Sequence, residues 1–142
     1  MISLATWILW VHILAAAVWL GGAAAVLTAV LPAWEGARVV VGRRAHFLTS
    51  RAMEVLILTG LVNVLLKGAQ SSFTLSPGFF AMLSLKMVLL VVMAALQIWM
   101  GVAWRRAVEG SADATRRSRI GLSVQCLCGA AAVLLGLGLR VA

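Results

Sequence analysis

The feature that most constrains this chain is where its charge is missing. Residues 1–34 contain no Asp, Glu, Lys or Arg, and three more apolar runs follow at 52–66, 79–104 and 120–139. About 20 apolar residues cross the hydrocarbon of a bilayer, so the first run alone is long enough for one span. Irregular spanning structure is excluded, because backbone groups in lipid must bond internally. Four such runs with short connections predict an all-α fold, an integral membrane antiparallel four-helix bundle. The bundle is expected to be a single domain over 1–142, with helices at about 4–31, 46–67, 79–104 and 119–140.

The boundaries come from breakers and charge. Pro32 stops the first helix. No Lys or Arg precedes that run, so it reads as a helix rather than a signal peptide. The second run is short and interrupted by Glu54, which moves its expected start back to the region of Arg44 to Phe47. Gly68, Gln70-Ser71-Ser72 and Ser76-Pro77-Gly78 mark the next turn. Arg105 and Arg106 end the third run, Gly110-Ser111 and Asp113 mark a loop, and Arg140 closes the fourth.

Composition agrees. The chain is 63% apolar and 11% charged, with mean hydropathy +1.07. An ordinary soluble domain is about 45–50% apolar and about 25% charged. A soluble enzyme, a disulfide scaffold and a disordered chain are therefore excluded. The net charge of +8 invites a nucleic-acid reading. Nine of the twelve basic residues, however, fall in two stretches: Arg38, Arg43, Arg44 and Arg51, then Arg105, Arg106, Arg116, Arg117 and Arg119. The positive-inside rule places those stretches in the cytoplasm and both termini outside. The expected partner is the lipid bilayer, and no nucleic acid is expected.

Small residues recur every four positions at Ala17, Gly21, Ala25 and Ala29, and again at Ala132 and Gly136. Such spacing lets helix backbones approach. Packing within the bundle is the simpler expectation; a homo-oligomer or partner subunits of a membrane complex are the alternative.

A few polar residues interrupt the apolar runs, and an ionisable group inside a span is a functional candidate by default. By depth, His12, Asn63 and Lys86 can share one layer. A second layer holds Glu54, Gln97, Gln125, Cys126 and Cys128. His12 could bind haem iron or copper, relay a proton, or simply bond to a neighbouring helix. Lys86 could attract an anion or snorkel to the interface. Met82, one turn before Lys86, offers a thioether that would suit copper beside His12. Trp19, seven residues after His12, could line a cofactor pocket. Glu54 is expected to pair with Arg51. Cys126 and Cys128 are about 200° apart around a helix, so they neither clasp one ion nor form a disulfide. Trp7 and Trp10 fit an outer interface belt, and Trp34, Trp99 and Trp104 an inner one. His46 reads as a solvated residue of the basic stretch. There is no Ser/His/Asp set, no GxGxxG, no P-loop and no CxxC, so no catalytic residue is assigned.

His12-Ile-Leu-Ala-Ala-Ala-Val-Trp19-Leu-Gly21-Gly22 resembles the first helix of the CopD-like copper-resistance domain and the related HemJ-like membrane proteins. Thr59-Gly60-Leu61-Val62-Asn63 is similar to their second helix, and Leu85-Lys86-Met87-Val88-Leu89-Leu90 to their third. Arg116-Arg117-Ser118-Arg119 also fits the start of the fourth. The resemblance implies a four-helix unit of the bacterial inner (cytoplasmic) membrane. In its CopD-like form it implies copper handling. In its HemJ-like form it implies haem b and oxidation of protoporphyrinogen, with His12 and Lys86 important. Gln97 stands where HemJ-like chains carry a later His, a departure that weighs against HemJ-type haem ligation and enzymatic activity. The expectation is therefore a small membrane protein that binds haem or copper through His12. The alternative is a non-catalytic accessory subunit of a larger membrane complex.

Overall fold

The computed structural model describes residues 3–32, 35–70, 76–108 and 112–141, with side chains placed over most of that length. Trp34, Arg38, Ser71, Ser72, Gly110, Ser111, Asp113 and Arg140 lie outside the described residues or side chains. Four helices follow in order: α1 (Leu4–Ala25, continued by a π turn at Val26–Val30), α2 (Glu35–Gln70), α3 (Pro77–Val108) and α4 (Ala112–Val141). All four contain a segment long and apolar enough to cross a membrane.

Local chemistry sets the helix starts. Ser3 caps α1, its hydroxyl accepting from the Thr6 amide at 3.2 Å. Ser76 caps α3, accepting from the Phe79 amide at 3.1 Å. Pro77 then occupies the first helical position, where no amide hydrogen is needed. Ser76-Pro77-Gly78 is thus a cap and first turn rather than a free turn, so α3 begins two residues earlier than expected.

α2 departs furthest from expectation. It begins at Glu35, not near residue 46, and its 36 residues extend about 54 Å at 1.5 Å each. Arg43, Arg44 and Arg51 lie on this helix rather than in a loop. Charge ends the apolar run but not the helix: arginine is a good helix former, and a helix can continue beyond the hydrocarbon. For the same reason α3 runs on to Val108 and α4 starts at Ala112 rather than 119.

α1 packs chiefly on α2, and α3 on α4. On α1 the buried positions are Ala15, Trp19, Ala23 and Val26. Ala17, Gly21, Ala25 and Ala29 face outward, and a Cβ on Gly21 would meet nothing within 4 Å. This stripe is therefore not the packing face of the bundle. The large Trp19 determines which face turns in, because burying one indole removes more apolar area than burying several alanines. On α4, in contrast, Ala132 packs near Trp19 and Gly136 lies against Lys86.

Two core clusters fill the bundle. Trp19, Ala52, Met53 and Met93 form one; Ala23, Val26, Leu31, Met100, Trp104 and Leu122 form the other. Trp104 is only 3% exposed, its indole over Gly42 on α2. It is a core residue and not part of an interface belt. Trp7, Trp10 and Trp99 are exposed.

Candidate functional site

His12 is half-buried on the α1–α2 seam, against Gly60, where a Cβ would come within 3.2 Å of the ring. Its Nδ1 lies 2.9 Å from Thr59 Oγ1. The hydroxyl of Thr59 donates to the Val55 carbonyl at 2.6 Å. A hydroxyl has one hydrogen, so Thr59 can only accept from His12. The hydrogen of a neutral His12 therefore sits on Nδ1, and Nε2 keeps its lone pair. This is the arrangement in which a ligating imidazole is oriented by its other nitrogen.

Lys86 comes to the same layer from α3. Its ammonium is close enough to act electrostatically on His12. It lies 3.2 Å from where a Gly136 Cβ would be, so it sits over the bare backbone of α4 rather than reaching to the end of the helix. Asn63 is half-buried one turn beyond Thr59, and Met82 is half-buried one turn before Lys86. Trp19 lies two turns along α1 from His12. Its ring is enclosed by Ala52, Met53 and Met93 and pressed on Gly129, with its indole N–H buried and unpartnered.

These residues fit haem and copper unequally. Copper needs several imidazole, thioether or thiolate donors. Among the described residues no group of three or more His, Cys, Asp or Glu could hold a metal ion. Lys86, on the facing part of α3, is a cation, which disfavours a second one. Haem asks for an axial nitrogen and bears carboxylates, and His12 Nε2 with the Lys86 ammonium supplies one partner of each kind.

A second polar cluster lies nearer the opposite end of the bundle, and one of its members corrects the reading of the sequence. His46 is not a solvated loop residue. It is half-buried on α2, its ring against Gly101 of α3. Thr49 and Ser50 hydroxyls donate to the His46 carbonyl at 3.0 and 2.8 Å. Their oxygens accept from the Gln97 amide at 3.0 and 2.9 Å. Gln97 Oε1 in turn accepts from Gln125 Nε2 at 2.5 Å. One chain of bonds thus joins α2, α3 and α4, and it ends at Gln125 Oε1, fully buried without a partner. Gln97 and Gln125 do share a layer as expected. Thr49, Ser50 and His46 were missed because hydroxyls within an Arg-rich stretch read as solvated; the i, i+3, i+4 spacing of 46, 49 and 50 was the available signal.

Glu54 pairs with Arg51 at 2.7 Å on the exposed face of α2. Cys126 and Cys128 are free thiols packed against different core clusters, as a Cys-x-Cys in a helix requires. No family model, curated protein or solved structure matches the chain.

Proposed function

We propose that this chain is a multi-pass integral protein of the bacterial inner membrane that holds haem b through His12. The observation that carries the reading is the Val55–Thr59–His12 chain of hydrogen bonds, which leaves an imidazole lone pair at Nε2. His12 would ligate the haem iron and Lys86 would hold a propionate, with Asn63 available on the same face of α2. Haem bound there would supply one-electron chemistry. The opposed pairings of His12 with Thr59, Lys67 with Phe79, and Gln97 with Gln125 support an antiparallel bundle. The clustering of basic residues supports cytoplasmic placement of the α1–α2 and α3–α4 connections.

The test is an optical spectrum with elemental analysis, on protein expressed with a haem supply and purified in mild detergent. A Soret band is expected, absent in His12→Ala and weakened in Lys86→Gln. A colourless preparation, or the same band in His12→Ala, overturns the haem reading. Stoichiometric copper in its place would return the His12–Met82 copper site.

A second reading is favoured by a separate observation. The outward stripe of Ala17, Gly21, Ala25 and Ala29 suits close contact with a helix of another chain. In that reading the protein is an accessory subunit or a homo-oligomer. Gly21→Leu would then break an association seen by light scattering in mild detergent, and an unchanged mass would count against it.

A further inference from the structure

A groove of about 820 Å³ opens between α2 and α3 and takes no part in the His12 layer. From His46 to Thr59 is 13 residues, so the two regions are about 20 Å apart along α2. The groove changes character in one direction. Arg43, Arg44 and Arg105 line the end nearest the start of α2 and the end of α3. His46, Ser50 and Gln97 line its middle, and Met53, Ile57 and Ala94 its far part. Arg43 and Ile57 are 14 residues apart, about 21 Å along the helix axis. Phe47 and Ile98, 62% and 71% exposed, flank it on the outer surface of the bundle. Behind it the helices close, with Trp104 over Gly42 and His46 over Gly101.

We propose that this groove binds one anionic glycerophospholipid. Its order of guanidinium, polar and apolar walls follows the order of phosphate, ester and acyl chain in such a molecule. Basic pockets between spans at the cytoplasmic surface are suited to anionic headgroups. Arg43, Arg44 and Arg105 are all exposed, so their guanidinium groups can reach a phosphate at the rim of the groove. The one acidic residue of the groove, Glu54, is already neutralised by Arg51. A protein partner would not require polarity graded along a single 20 Å track, and a soluble anion would not use the apolar end. The inference rests on the membrane placement proposed above, but not on haem.

Native mass spectrometry of the purified protein tests it, with phosphatidylglycerol and phosphatidylcholine of identical acyl chains and with glycerol phosphate as a soluble competitor. Phosphatidylglycerol is expected to be retained roughly a hundredfold better than phosphatidylcholine, given roughly 1 kcal/mol for each of the three arginines near the headgroup. The triple variant Arg43→Gln, Arg44→Gln, Arg105→Gln should lose this preference, while Arg116→Gln, Arg119→Gln on α4 keeps it. Millimolar glycerol phosphate should displace neither lipid. Equal retention of the two lipids by the unmodified protein, equal loss in both variants, or displacement by glycerol phosphate each overturns the proposal. Alkaline extraction separates the two failures. A chain released from membranes defeats the membrane reading, whereas a chain that stays in the pellet without lipid preference defeats the groove alone.

Discussion

Replacing Thr59 by Val keeps the side-chain volume and removes the oxygen that accepts from His12 Nδ1. The loss of one net hydrogen bond should lower stability by about 1 kcal/mol. The larger effect falls on His12, whose ring loses its side-chain partner. Haem affinity should drop by roughly 10–100-fold, as when an outer-shell partner is removed from a metal-ligating histidine. Titration of the variant with haemin checks this; unchanged affinity would mean that Thr59 does not orient the ligand. Gln97→Leu acts differently. Thr49 and Ser50 keep the His46 carbonyl as acceptor, but Gln125 loses its partner while fully buried. A loss of about 1–3 kcal/mol is expected from that orphaned amide. Gln97→Leu combined with Gln125→Leu removes both halves of the bond, so its loss should be well below the sum of the single changes. Unfolding in detergent, followed for all three variants, measures the coupling. Simple additivity would show that the bond between the amides contributes nothing.

Among the helices, small residues do opposite things depending on the face they occupy. Gly42 lies under the indole of Trp104, and an added Cβ there would enter the ring. Gly42→Ala should therefore push α2 and α3 apart and cost about 1–3 kcal/mol, as overpacking does. Gly21→Ala meets open space and should be neutral or raise stability by up to about 1 kcal/mol through helix propensity. The melting temperature should fall for Gly42→Ala and hold or rise for Gly21→Ala, with a shift in tryptophan emission for Gly42→Ala only. The contrast also shows what was legible in the sequence. Apolar runs identified four helices because a bilayer demands length, and the layers of His12 with Lys86 and of Gln97 with Gln125 followed from helical rise. The N-terminal extension of α2 did not follow, since the same arginines that end a hydrophobic run are compatible with continued helix. Nor did the direction of α1: Ala17, Gly21, Ala25 and Ala29 carry a stronger pattern than Ala15, Trp19 and Ala23, and only the size of Trp19 decides between the faces. His46 was misread for a related reason, because its neighbours Arg43 and Arg44 mask a ring turned toward Gly101.

For the molecule as a whole, the two polar layers and the basic groove divide the bundle lengthwise. His12 and Lys86 lie toward the end that carries the N-terminus, and the arginines of α2 and α3 at the other. This polarity ties function to orientation: lipid headgroups of the cytoplasmic leaflet would meet the groove, and the His12 layer would lie nearer the outer face. The proposed orientation rests on the nine basic residues of the two Arg-rich stretches, because cytoplasmic retention of Lys and Arg near span ends biases topology. It is checked by placing single cysteines in the 71–75 and 109–111 connections of a variant lacking Cys126 and Cys128. A membrane-impermeant maleimide applied to intact cells should label the first and spare the second. Labelling should reverse in inside-out vesicles. Moving charge provides the stronger test. With Arg116, Arg117 and Arg119 changed to Gln, and three Lys added to the 71–75 connection, the bias between the two sides falls. A mixed population labelled at both positions is then expected. If the altered chain keeps one orientation, the arginines of α4 do not set topology, and the side of the membrane faced by the groove would have to be fixed by those of α2 and α3.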